Sequence, residues 1–206
     1  MAKPGVEVVL FDLGGVLAEF GGLEPMQRLS GIGSDDELWH RWLNCRWVSR
    51  FERGECPPEE FAAGLVADWN LAVSPGAFLS QFSSWSNRPL AGAQDLVSET
   101  RRSVTVGCLS NTNTIHWQSA ASWPLMGLFD HQFLSFQLGR VKPDPEVFEQ
   151  VCSQLGTDPG AVLFIDDNPL NVEGGLRVGL QAVRAKGVDE ARQALVAVGV
   201  IEASLA

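Results

Sequence analysis

The chain has no long apolar run. Its first hydrophobic segment, Val6 to Phe11, is too short for a membrane span or for the core of a secretory signal, so a cytoplasmic location is the expectation. Basic residues are also scarce: Lys and Arg number 15 against 25 Asp and Glu, a formal net charge of −10, and no basic patch is visible. Sequence-independent nucleic-acid binding needs clustered cations against phosphates, and that class is excluded. Paired cysteines are missing as well. Cys45, Cys56, Cys108 and Cys152 are scattered without a C-x-x-C spacing, which argues against a zinc knuckle or a redox motif and for reduced, buried thiols. Internal repeats and low-complexity segments are absent.

What is present is enough material for a core. At 206 residues and 45% hydrophobic content, the chain suits one sizeable domain, or a core with a smaller insert. Short apolar runs at Val6–Phe11, Val104–Leu109, Gln132–Phe136, Val162–Ile165 and Leu180–Val183 end in polar or glycine-containing turns and read as buried parallel strands. Helical stretches at Ala91–Ser103, Pro145–Leu155 and Pro169–Val178 alternate with them, which predicts an α/β doubly wound parallel sheet. From about Ala18 to Arg88 the alternation fails. No strand is legible there, only amphipathic segments at Asp35–Trp47, Pro57–Trp69 and Pro75–Trp85. The expectation is a core built from residues 1–17 and 89–206, with a helical cap at 18–88. Most of the tryptophans lie in this insert or just beyond Ser110, where packing is their ordinary role.

In an open α/β sheet, ligands bind beyond the carboxyl ends of the strands. The residues there are Asp12-Leu13-Gly14-Gly15-Val16, Ser110-Asn111-Thr112-Asn113, Lys142-Pro143-Asp144 and Asp166-Asp167-Asn168. Each has a plainer reading when taken singly: a turn aspartate, a helix N-cap serine, a solvated lysine, an acidic helix cap. Two adjacent acids at a buried strand end repel one another, however, and together with Asp12 they call for a cation. Oxygen-only ligands with room for water suit Mg²⁺.

In this order the four segments resemble the four motifs of the haloacid-dehalogenase-like superfamily, and the likeness covers nearly the whole chain, helical cap included. Within it, Glu52-Arg53-Gly54-Glu55, Ser110-Asn111-Thr112-Asn113 and Asp166-Asp167-Asn168-Pro169-Leu170-Asn171 are similar to the branch that contains α-D-glucose-1-phosphate phosphatase and the N-terminal phosphatase domain of soluble epoxide hydrolase. The resemblance implies a Mg²⁺-dependent phosphatase acting on a small phosphorylated molecule, with Asp12 as the nucleophile that takes the phosphoryl group and loses it to water. It further implies that the Ser110 hydroxyl and the backbone N–H of Asn111 hold phosphoryl oxygens while Lys142 neutralises charge. Asp12, the Gly14 carbonyl and Asp166 would hold the metal, with Asp167 behind through water. A receiver domain uses similar residues, but its acidic pair precedes the phosphorylated aspartate; here the pair comes last.

The sequence departs from the family at Gly14, where most of these phosphatases carry an aspartate that acts as general acid and base. A positioned proton donor is worth about 10²–10⁴-fold in rate. His116, shortly after the second motif, is the candidate substitute because imidazole titrates near neutral pH. Glu52, Arg53 and Arg88 are candidate polar contacts for a sugar or similar group of the substrate, although Glu52-Arg53-Gly54-Glu55 reads more simply as a turn between cap helices, with glycine supplying the bend. Two other functions stay open at this point: a metal-independent 2-haloacid dehalogenase, and a silent phosphate-binding protein that lost turnover with Gly14. Substrate identity, oligomeric state and protein partners are not fixed by motif spacing.

Overall fold

The computed structural model describes residues 5–85 and 88–203. β1 (Val8–Phe11) is followed by five helices: α1 (Leu23–Ser30), α2 (Asp35–Leu43), α3 (Arg46–Glu52), α4 (Pro58–Trp69) and α5 (Pro75–Ser84). Strands and helices then alternate through α6 (Ala93–Thr100), β2 (Thr105–Ser110), α7 (Thr114–Ala120), β3 (His131–Leu134), α8 (Ser135–Leu138) and α9 (Pro145–Leu155). The chain ends with β4 (Val162–Asp166), α10 (Pro169–Arg177), β5 (Gln181–Arg184) and α11 (Gly187–Ala197). All pairings are parallel and the strand order is β3-β2-β1-β4-β5. The fold is therefore the expected doubly wound α/β sheet.

The sheet forms where it does because its central strands are apolar on both faces. Along β1, Val9 and Phe11 enter one core cluster with Leu96 of α6 and Leu195 of α11, whereas Val8 and Leu10 enter another with Phe148 of α9 and Phe164 of β4. Successive side chains alternate faces, so four residues support both layers. Each fully buried Phe contributes about 1.5–3 kcal/mol to that packing.

Helices α1 to α5 have their own apolar cluster, centred on Phe51, Phe61, Phe78, Phe82 and three tryptophans, Trp42, Trp69 and Trp85. Phe51 and Phe61 stack at 4.4 Å. The insert leaves and rejoins the sheet side by side: Glu19 N–H donates to the Arg88 carbonyl at 2.9 Å and Leu90 N–H to the Leu17 carbonyl at 2.9 Å. Among the described residues, no helix is long and apolar enough to cross a membrane.

Two of the expected segments take a different form in the structure. The segment Asp35–Trp47 is two helices, because Asn44 closes α2 by donating its side-chain amide to the His40 carbonyl at 2.7 Å. The apolar face runs on through Leu38, Trp42, Cys45 and Val48, which hides the break from periodicity alone. The third apolar run stops being a strand at Leu134 rather than Phe136. Ser135 leaves the sheet because its hydroxyl accepts from Thr112 N–H and donates to the Thr112 carbonyl, both at 2.9 Å, and turns the chain into α8.

Candidate active site

The sheet brings three polar residues to one edge. Phe11 of β1 is level with Cys108 of β2 and Ile165 of β4, so Asp12 emerges between Ser110 and Asp166. Asp12 N–H donates to the Ile165 carbonyl at 2.8 Å, which keeps the strand geometry intact up to the carboxylate.

Lys142 ties these ends together. Its buried ammonium donates to Asp166 Oδ2 at 2.7 Å and to the Leu109 carbonyl at 2.9 Å, and lies 3.0 Å from Asp12 Oδ1. Three donors meet three acceptors, so this buried cation is fully partnered. Asn111 fixes its backbone from both sides, donating to the Lys142 carbonyl and accepting from Lys142 N–H, each at 2.9 Å. Asp166 is held just as closely. Asn168 N–H reaches Oδ1 at 2.8 Å, and the Asn171 amide spans both oxygens at 3.2 and 3.1 Å. Asn171 is a residue whose role sequence reasoning missed. Its signal was present in the spacing, since it stands in the first turn of α10, the helix that follows Asp166.

Asp12, Asp166 and Asp167 bring carboxylate oxygens within 4.8 Å of one another. Burial pushes Asp12 up to about 7, against the pull of Lys142 and with the help of Asp166 and Asp167. Burial and then Asp166 raise Asp167 as well. For Lys142, burial works against the charge, yet Asp12 and Asp166 outweigh it and hold the ammonium above the usual lysine value. Lys142 therefore faces three carboxylates, and Lys186 adds only a smaller pull on Asp167. The donor set of hard oxygens at one strand edge fits a divalent cation such as Mg²⁺, which would relieve the remaining repulsion.

The two members of the acidic pair are held differently. Asp166 spends its carboxylate oxygens on Lys142, Asn171 and Asn168, whereas the Asp167 carboxylate accepts no hydrogen bond from another described residue and its backbone carbonyl accepts from Arg184 Nε at 2.9 Å. Gly15 makes room for Asp167: its φ is +75°, and a Cβ there would lie 2.3 Å from Asp167 Oδ2. Gly14 differs, since a Cβ added to it meets nothing within 4 Å.

A cleft of about 90 Å³ opens over this edge, lined by Gly14, Ser110 and Asn111 from the sheet side and by Trp42 and Glu52 from the insert. The Ser110 hydroxyl has no hydrogen-bond partner among the described residues. A broader depression at Val6, Arg101 and Thr105 lies at the amino ends of the strands, away from the carboxylates.

Two expectations need correction. His116 lines the cleft, but its ring is stacked on Phe82 at 4.2 Å and both nitrogens are engaged. Nδ1 accepts from the Asn113 amide at 3.3 Å, which leaves Nε2 to donate to the Phe82 carbonyl at 3.2 Å. Burial lowers its pKa, and with both nitrogens bonded inside the fold the ring is a packing group whose Nε2–H is already committed to the Phe82 carbonyl. Arg53 is likewise committed. It pairs with Asp144 Oδ2 at 2.6 Å and bonds Ser49, which docks the insert beside Lys142 instead of freeing a guanidinium for the leaving group. Arg88 pairs with Glu19 at the base of the insert.

Comparison with known proteins agrees with this geometry. The chain is 26% identical over 203 residues to a D-ribitol-5-phosphate phosphatase of Bacteroides thetaiotaomicron, covering 92% of this chain and 97% of that protein. It is 27% identical over 179 residues to a sesquiterpene phosphatase of Aspergillus oryzae, covering 84% and 87%. A crystal structure of a haloacid-dehalogenase-family enzyme from Bacteroides thetaiotaomicron, in complex with magnesium and inorganic phosphate, superposes with a TM-score of 0.72 at 27% identity, over 88% of this chain and 95% of that one. The model of the haloacid dehalogenase-like hydrolases matches residues 58–179, more than half of the chain, and the protein belongs to that family.

Proposed function

We propose that this protein is a Mg²⁺-dependent phosphatase that hydrolyses a small phosphorylated metabolite through a phosphoaspartate at Asp12. The observation that carries this reading is the cluster in which one fully partnered lysine joins Asp12 to Asp166 while Asp167 stands within 4.8 Å. Names among the relatives support the reaction class: phosphatases acting on substrates as unlike as a polyol phosphate and a sesquiterpene. That variety leaves the leaving group of this protein to be found.

In the mechanism, Asp12 attacks phosphorus in line and the bond to the leaving oxygen breaks. Lys142 holds Asp12 in place and neutralises charge on the transferred group, and the Ser110 hydroxyl and Asn111 N–H orient its oxygens. Water then cleaves the acyl phosphate and regenerates Asp12. Bound Mg²⁺ would supply charge neutralisation for the phosphoryl oxygens, held by Asp12, Asp166 and the Gly14 carbonyl, with Asp167 behind. Residues 18–88 act as a cap that closes the cleft over a core of residues 1–17 and 89–206, and so exclude bulk water.

The test is phosphate release from a panel of small monoesters with Mg²⁺. Asp12→Asn and a chelator should each lower turnover by at least about 10⁴-fold. Undiminished release in either case sinks the reading, and halide release from a 2-haloacid in chelator replaces it with a dehalogenase.

A further inference from the structure

Hydrolysis in two steps needs a proton given to the leaving oxygen and another taken from water, and the position to which the family resemblance assigns this role, Gly14, has no side chain. The cleft offers few other groups. His116 has both ring nitrogens occupied, Lys142 is bound by three acceptors, and Glu19 is paired with Arg88. Glu52 alone among the titratable residues lining the cleft from the insert side carries no hydrogen bond or ion pair among the described residues.

Its placement is held rigidly. Glu52 is the last residue of α3, and the turn that follows is anchored to the core at two points. Arg53 grips Asp144, two residues from Lys142, and Gly54 packs so closely on α8 that a Cβ would come within 2.5 Å of the Phe136 carbonyl. Gly54 adopts φ +70°, which turns the chain sharply and leaves the Glu52 side chain over the sheet edge. The charged groups that face it are Lys142 and Asp12 from the core and Arg53 from its own turn. Opposite, Gly14 presents no side chain, and the space a Cβ would enter is open.

Resting on the phosphatase reading, we infer that Glu52 is the general acid and base of this enzyme, acting from the cap in place of the missing side chain at Gly14. In the first step Asp12 Oδ bonds to phosphorus, the phosphorus–oxygen bond to the leaving group breaks, and the Glu52 carboxyl gives its proton to the departing oxygen to form an alcohol. In the second, the Glu52 carboxylate takes a proton from water as the water oxygen attacks phosphorus. The acyl–phosphate bond breaks, inorganic phosphate leaves, and Asp12 is again a carboxylate. Burial pushes Glu52 up to about 7, with Lys142 opposing and Asp12 assisting, which suits a group that must both donate and accept near neutrality.

The experiment compares Glu52→Gln with wild type, with Mg²⁺, on an alkyl phosphate and on p-nitrophenyl phosphate, whose leaving group needs no proton. The alkyl phosphate should lose about 10²–10⁴-fold in kcat. The aryl ester should still give a rapid burst of nitrophenolate near one equivalent per site, followed by slow turnover, because only the second step then lacks its base. Adding Gly14→Asp to Glu52→Gln should restore alkyl-phosphate turnover at least ten-fold, and the basic limb of the wild-type pH profile should vanish in Glu52→Gln. The burst also shows that the variant is folded with its nucleophile in place. Equal losses on both esters with no burst, or an unchanged rate on the alkyl phosphate, overturn the role of Glu52 and leave the phosphatase reading standing. A wild type inert towards every monoester ends both.

Discussion

The two walls of the cleft are built on opposite principles. On the sheet side, Asp12, Lys142, Asp166, Asn111 and Asn171 form one connected set of hydrogen bonds whose members fix one another. On the insert side, Trp42, Phe82 and Trp85 pack by shape, and among the described residues neither the buried Trp85 indole N–H nor the Glu52 carboxyl has a hydrogen-bond partner. A satisfied polar network specifies one geometry, whereas an unpartnered carboxyl is held by its backbone and stays free to exchange protons. Reaction chemistry common to many substrates belongs on the first kind of wall, and proton transfer and fit to a particular leaving group on the second.

Removing a charge should therefore have opposite consequences on the two sides. Lys142→Met strands Asp12 and Asp166 in a buried site, and a loss of about 3–5 kcal/mol is expected in urea denaturation without divalent metal. A loss under about 1 kcal/mol breaks the contrast, since the sheet-side network would then not be holding the strand ends.

Gly15→Ala probes the space reserved for the open carboxylate. The left-handed φ and the close approach of Asp167 should displace that side chain and weaken Mg²⁺ affinity about 10–100-fold by calorimetry, with the fold retained. Unchanged affinity removes Asp167 from the metal site.

The smallest effect, and the sharpest in sign, is on the insert side. Glu52 is held up at about 7 against an ordinary value of 4.5, so the folded protein binds its proton more tightly than the unfolded chain does. The cost of ionising it is absent below about pH 4.5 and complete above about pH 7. Glu52→Gln should thus stabilise the metal-free protein at pH 8 by about 1–2 kcal/mol, discounted for its partial exposure, and leave it unchanged at pH 4. Thermal unfolding at the two pH values decides, and destabilisation at pH 8 contradicts the picture of an unpartnered group.

Much of the sheet side was legible before any coordinates, for a physical reason. Strands buried on both faces read as continuous apolar runs, and the polar residue that ends each run marks a point on the active edge. Asp12, Ser110 and Asp166 could be placed that way, and Lys142 through its motif. The roles of the insert side chains were not legible. Arg53 meets Asp144 across 91 positions, and Glu52 owes its place to that pairing and to Gly54 against the Phe136 carbonyl, none of which leaves a local signature. His116 shows the converse: a residue type suited to catalysis was spent on packing, because Asn113 and the Phe82 carbonyl happen to saturate its ring. Helix α1 escaped detection because it is short and its N-cap residue, Gly22, offers no side-chain hydrogen bond.

The adjacent exit and return of the insert at Leu17 and Leu90 has a consequence for heredity. The ends of the 18–88 stretch already touch, so lengthening it, shortening it or exchanging it would not shift the register of any strand. Selection can thus rewrite what is admitted to the cleft while the strand-edge carboxylates pass unchanged from ancestor to descendant.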